Sequence, residues 1–213
     1  MTDPPPADRA TVLVVDDAPS VRDALAYLFR SVGLDVETYA AAADLLGRES
    51  PDRPGCIVVD VRMPGMSGIE LVSALRERGW RTPVVFISAH ATVPTAVRAM
   101  RAGAVDFLEK PVDDERLLDR IQWAIAQDRD RLAEVAGRRK GRARFASLTA
   151  REREVLALLI EGHANKEIAA RLGIHPKTVE RHRASVMVKM QARSLAELVA
   201  RAVRNGIGGK PSD

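Results

Sequence analysis

Three carboxylates close two short β-branched runs in this sequence of 213 residues: Asp16 and Asp17 end TVLVVDD, and Asp60 ends CIVVD. Brought to one edge of a parallel sheet they repel one another, so the arrangement makes sense with a hard divalent cation among them. Mg2+ favours such oxygen ligands and keeps several waters. A carboxylate beside the ion can attack a phosphoryl donor while the metal offsets charge on the transferred group. Two further runs, PVVFIS and AVDFLEK, supply Ser88, a hydroxyl donor, and Lys110, a cation able to pair with phosphoryl oxygens. Each of the five side chains then has a part in transfer of a phosphoryl group to Asp60.

The elements that must hold these groups follow from the apolar pattern. TVLVV, LDVETY, CIVVD, PVVFIS and AVDFLEK read as strands, with helical periodicity near 19–32, 40–48, 67–79 and 92–102 and a last helix from about 113. This alternation is a (βα)5 unit. Runs such as VLVV and CIVV suit parallel strands covered by helices on both faces, and ligands in such α/β sheets bind at the carboxyl ends of the strands. Cys56 lies inside an apolar run and reads as core packing; as the single cysteine it forms no internal disulfide. A nucleotide kinase needs a glycine-rich phosphate loop after a strand, and none is present. Phosphatases of the haloacid-dehalogenase type need a second acid two residues after the nucleophile, where this chain has Arg62.

Charge divides the chain. Lys and Arg minus Asp and Glu gives 16 − 22 = −6 for residues 1–136 and 17 − 7 = +10 for residues 137–213. A basic domain behind an acidic one suggests a polyanion reader joined to a signal-handling module. The helical pattern from Asp113 runs to GRRKGRAR, whose glycines and basic residues read as the linker. Beyond it no strand signal remains, and four short helices are expected near 149–161, 165–172, 176–190 and 194–205. Thr149, Asn165 and Ser194 are candidate N-caps, and glycines follow the first two helices and the last. NKEIAARLG, a turn at Ile174-His175 and PKTVERHR form a helix-turn-helix pattern, with Ala169 and Ala170 allowing close approach. Val179, Val186 and Met190 make the buried stripe of its second helix. Lys177, Thr178, Glu180, Arg181, Ala184 and Ser185 are left facing out, so the N-terminal half of that helix suits a major groove.

Residues 11–125 resemble the receiver domain of two-component response regulators, through VVDD, DVRMPGMSG, Ser88 and the Lys110-Pro111 pair. The resemblance implies that Asp60 is the phosphoacceptor and that Asp17, Asp60 and the backbone carbonyl of Arg62 bind Mg2+, with Asp16 acting largely through metal-bound water. It further implies Ser88 as switch hydroxyl, Phe107 as an aromatic that rotates inward, a cis Lys110-Pro111 peptide, and a sensor histidine kinase as donor. Such a receiver assists its own phosphoryl transfer and autodephosphorylation but is not otherwise an enzyme. Ser88 stands where Thr is common, and Arg62 occupies a position where side chains tune dephosphorylation.

The C-terminal segment resembles the LuxR-type helix-turn-helix, through LTAREREVL, NKEIAARL and TVERHR, and the whole chain is similar to the NarL/FixJ family. That resemblance implies base-edge contact from Glu180, Arg181 and Ala184, and backbone contact from Lys166, Thr178, His182, Arg183 and Lys189. It also implies dimerisation through the last helix, with Leu195, Leu198, Val199 and Ala202 as the contact. The expected architecture is a flavodoxin-like α/β receiver followed by an all-α four-helix domain. Its parts are a flexible N-terminus over 1–10, receiver over 11–125, helical basic linker over 126–146, DNA-binding domain over 147–207, and flexible tail over 208–213. Function follows as phosphorylation-dependent regulation of transcription, with a homodimer on promoter DNA, RNA polymerase as a further partner, and activation as the favoured outcome. The alternative is a phosphate sink or protein-interaction receiver with weak, phosphorylation-independent DNA binding. MTDPPPADRA lacks the basic and apolar regions of a signal peptide, and no apolar run reaches the ~20 residues of a membrane span, so a cytoplasmic location is expected.

Overall fold

The computed structural model describes residues 9–204; the two terminal arms read from composition fall largely outside them. The strands are β1 (Thr11–Val15), β2 (Asp35–Tyr39), β3 (Gly55–Asp60), β4 (Val84–Ser88) and β5 (Asp106–Glu109), all parallel, in the order β2-β1-β3-β4-β5. Between and after them run α1 (Pro19–Ser31), α2 (Ala42–Leu46), α3 (Gly68–Glu77), α4 (Val93–Arg101) and α5 (Asp114–Ala146). Strand order reverses between β1 and β3, so the crevice at their carboxyl ends is where an α/β sheet accepts a ligand.

Alternate residues of the central strands feed two cores. Leu13, Val15, Ile57, Val59 and Phe86 pack with Leu45 of α2, Leu71 and Leu75 of α3 and Ala99 of α4. Val12, Val14, Cys56, Val58, Val85 and Ile87 pack with Leu25 and Phe29 of α1 and Leu117 and Ile121 of α5. Burial on both faces explains why these strands are continuous apolar runs. Cys56 is fully buried, and burial pushes its thiol pKa up, in keeping with packing. Ala10, read as part of the N-terminal arm, is buried in the second of these cores.

The chain divides into two units between Ala133 and Glu134, inside α5. α5 continues unbroken through GRRKGRAR, the stretch read as the basic linker. An isolated glycine costs a helix about 1 kcal/mol against alanine, and the flanking arginines, lysine and alanines are good helix formers. α2 is shorter than the pattern over 40–48, because Ala41 takes an extended conformation as its N-cap.

The second unit continues with α6 (Ala150–Ile160), α7 (Asn165–Leu172), α8 (Pro176–Lys189) and α9 (Leu195–Arg204) around Val155, Leu156, Leu159, Ile168, Val179, Val186, Met190 and Leu198. Thr149 caps α6 in a reciprocal box with Glu152, and the Ser194 hydroxyl accepts from the Glu197 N–H. Asn165 is the first helical residue of α7 and not its cap; Ala164 precedes the helix, and Glu167 reaches back to the Ala164 N–H. Gly173 ends α7 at φ 64°, a left-handed conformation that glycine adopts freely, and this turns the chain into α8. The glycines expected after α9 lie outside the described residues. No helix among those residues is long and apolar enough to cross a membrane.

Candidate functional site

At the carboxyl edge of the sheet, Asp16 follows β1, Asp60 ends β3, Ser88 ends β4 and Lys110 follows β5. Asp16 and Asp60 are buried, and one ammonium bridges them: Lys110 Nζ lies 2.6 Å from Asp16 Oδ2 and 2.6 Å from Asp60 Oδ1. Burial pulls Lys110 toward its neutral form, but the hydrogen bonds and charges of the two carboxylates outweigh it, and its pKa stands above the ordinary lysine value. The Lys110 N–H donates to the Ser88 carbonyl at 2.9 Å, which fixes the start of the lysine's loop on β4.

Each carboxylate is also held by its own loop. Asp16 Oδ1 accepts from the Ala18 N–H at 2.9 Å, and its carbonyl accepts from Arg22 at 2.7 Å. Asp60 Oδ2 accepts from the Arg62 N–H at 2.6 Å. Ser88 is buried, its hydroxyl accepting from the His90 N–H at 3.1 Å. Phe107 is half-buried against the core below the site, and the Lys110-Pro111 peptide is cis. Sequence reasoning misses Arg22 and Gly68. A Cβ on Gly68 would stand 2.1 Å from the Asp60 carbonyl oxygen, so only glycine lets α3 begin so close beneath the acid. The second glycine of DVRMPGMSG is visible in the sequence, but what it has to avoid is not.

Asp17 is exposed at the rim, and no group of three His, Cys, Asp or Glu side chains among the described residues is gathered as for an ion. Lys110 supplies positive charge between the two buried acids. A set of carboxylate oxygens that already draws a cation, with a third acid at its rim, fits the chemistry of Mg2+.

In the second unit, α7 and α8 form the helix-turn-helix. Lys166, Lys177, Glu180, Arg181 and Ala184 are exposed, while Thr178, His182 and Arg183 are half-buried. Arg183 reaches back to the Asn165 side chain at 3.4 Å. Two residues differ from their expected roles. The Ser185 hydroxyl donates to Glu152 of α6, and Lys189 Nζ donates to Glu152 Oε2 at 2.7 Å and to the Ser147 carbonyl. Both side chains tie α8 to its own domain, because a carboxylate only 5 % exposed needs them. Of the two alanines expected to permit close approach, Ala169 is buried and Ala170 is exposed.

The contact expected on α9 is also corrected in part. Leu198 and Ala202 are fully buried, Leu198 in the core of the second unit, and Leu195 and Val199 are half-buried. Leu198 and Ala202 of that expected contact are turned to the domain itself, while Leu195 and Val199 keep part of their surface outside. Val203, 65 % exposed, is the outward apolar residue of α9.

Sequence comparison agrees with both halves. The response regulator receiver domain family matches residues 12–122, and the bacterial regulatory proteins of the luxR family match residues 146–202. The chain is 50% identical over 190 residues to the C4-dicarboxylate transport transcriptional regulatory protein DctR of Rhodobacter capsulatus, covering 88% of this chain and 96% of that protein. It is 45% identical to the transcriptional regulatory protein FixJ of Azorhizobium caulinodans, with 95% of each covered. Among solved structures, that of the response regulator StyR aligns with a TM-score of 0.86 at 45% identity, covering 92% of this chain and 99% of that one. Fold and site thus define a receiver joined to a helix-turn-helix DNA-binding domain. The chain belongs to the NarL/FixJ family of two-component transcriptional regulators.

Proposed function

We propose that Asp60 accepts a phosphoryl group from a sensor histidine kinase and that this modification controls dimerisation and promoter binding by the second unit. The observation that carries the reading is Lys110 Nζ at 2.6 Å from both Asp16 and Asp60, a cation already held where transferred phosphoryl oxygens must be neutralised. Asp16, Asp17, Asp60 and the Arg62 carbonyl would hold Mg2+, which supplies charge compensation to a phosphoryl group when bound. Asp60 presents the attacking oxygen, Lys110 pairs with the phosphoryl oxygens, and Ser88 offers a hydroxyl to them. Phe107, half-buried on β5 beside β4, would turn inward when the Ser88 hydroxyl moves toward the phosphoryl group. Beside the site an apolar hollow of about 310 Å³, lined by Val21, Ala24, Leu25 and Val112 among others, is where a donor protein would dock to reach Asp60.

Domain limits of 11–125 for the receiver, 126–146 for the linker and 147–207 for the reader go with this reading. In the second unit Arg181, Glu180 and Ala184 face base edges, with Lys166, Lys177, Thr178, His182 and Arg183 toward the backbone. Dimerisation through α9 would rest on Leu195, Val199 and Val203. The product is a cytoplasmic, phosphorylation-gated activator working with RNA polymerase. Light scattering after size exclusion tests the gate, on wild type and Asp60→Ala, with Mg2+ and with or without beryllofluoride. A monomer-to-dimer shift confined to wild type with the mimic is expected; a shift in neither protein, or in both, overturns it.

A further inference from the structure

The last turns of α5 change character within one helix. Residues 114–136 mix acidic and basic side chains, whereas residues 137–146, GRRKGRARFA, carry five basic residues and no acidic one. Arg138, Arg139, Lys140 and Arg142 are exposed. Of these, only Arg138 has an ion pair within the described residues, to Glu134 at 2.6 Å.

This charge does not serve the helix. Arg138 with Arg142, and Lys140 with Arg144, are like-charged pairs four residues apart, which destabilise a helix where opposite charges would support it. The helix dipole favours cations only in the last turn, which covers Arg144 and not the residues upstream. A merely solvated face interleaves both signs, as the first part of α5 does.

We propose that these turns are an arm that grips the phosphate backbone of duplex DNA beside the groove entered by α8. The proposal rests on the DNA-binding reading of the second unit but adds to it, since the luxR-family match begins only at residue 146. The root of the arm is fixed to the reader within one unit. Ser147, the residue after α5, offers its carbonyl to Lys189 near the end of α8 at 3.3 Å, and the Arg153 guanidinium of α6 lies 5.5 Å from the Phe145 ring centre. Guanidinium groups match phosphate oxygens in forked geometry. Phosphate contacts carry no sequence information; they raise affinity and steepen its dependence on salt.

The test uses the full chain with Mg2+ and beryllofluoride, a labelled duplex of mixed sequence, and salt from about 50 to 200 mM. The variant Arg139→Gln/Lys140→Gln/Arg142→Gln keeps good helix formers. Its plot of log affinity against log salt is expected to be shallower by about 0.9 for each phosphate that is no longer neutralised, or roughly one to three in all, with unchanged melting of the second unit. An unchanged slope in the folded variant overturns the arm. Arg181→Ala, run beside it, is expected to keep the slope while losing preference for a duplex selected with wild type. If that preference survives, the assignment of α8 fails while the arm still stands on its slope. If wild type itself binds no duplex in a salt-dependent way, both readings fall.

Discussion

Glu152 of α6 and Lys189 of α8 are 37 residues apart in sequence, yet Lys189 Nζ lies 2.7 Å from Glu152 Oε2. Lys189 and Ser185 hold the Glu152 carboxylate well below its ordinary range, at about 2, together with the Thr149 backbone. A carboxylate with a depressed folded pKa stabilises the fold fully above its unfolded pKa, near 4.5, and loses that contribution as pH falls toward about 2. The protection of α6 and α8 amides against hydrogen exchange, relative to the intrinsic rate at each pH, is therefore expected to fall through that window in wild type. Glu152→Gln should be destabilised by about 1–3 kcal/mol at neutral pH and show little further loss across it. Equal acid sensitivity in the variant sinks the assignment. Lys189→Ala should likewise lower the stability of the second unit.

Lys110 Nζ sits on carboxylate oxygens of Asp16 and Asp60 that a divalent ion bound there would also need, so the proposed ion and the ammonium are expected to compete. Lys110→Met leaves two buried acids without their shared cation. Its expected signature is a fold weakened by about 1–3 kcal/mol in chelator and largely rescued by Mg2+, with Mg2+ bound more tightly than in wild type. Calorimetric titration and thermal melts with and without the metal check this. Weaker Mg2+ binding in the variant means that Lys110 supports the ion site instead of competing for it.

The receiver is legible in the sequence because its strands are buried on both faces, which writes them as continuous apolar runs, and because its polar groups stand at strand ends in order. Which of the adjacent Asp16 and Asp17 lies inside is not legible; one is buried and the other exposed, a matter of loop geometry after β1. The basic stretch after Ala136 reads as a linker from its two glycines and its charge, but that it forms the last turns of α5 rests on the helix formers around those glycines. On α8 periodicity names Val179, Val186 and Met190 as the buried stripe, as they are; on α9 it names the apolar stripe but not what it faces. Leu198 packs on its own domain, and Ser185 sits at the edge of the buried stripe, where a partner such as Glu152 decides its direction.

Gly68 links the fold to the acceptor. Its absent side chain leaves α3 free to start beneath Asp60, where a Cβ would meet the Asp60 oxygen at 2.1 Å and Val59 Cγ2 at 2.9 Å. Gly68→Ala must push α3 away or move the Asp60 backbone. A stability loss of about 1–3 kcal/mol or more is expected, with a fall in labelling by a small phosphoryl donor that persists at temperatures where the variant is folded. Labelling at the wild-type rate in the folded variant means that the displacement does not reach the carboxylate.

On α9 the buried and outward residues separate stability from association. Leu198 is fully buried, so Leu198→Ala is expected to cost about 2–5 kcal/mol and to lower the melting temperature of the second unit. Val203 is 65 % exposed, and Val203→Asp should leave that melting temperature nearly unchanged. A dimer formed over the outward face of α9 would bury the new carboxylate without a partner, a cost that association has to bear. Light scattering with beryllofluoride and Mg2+ should therefore show a weaker dimer for Val203→Asp. An undiminished dimer places the association surface elsewhere, and the α4 face with exposed Val93, Val97 and Met100 is then the next to vary.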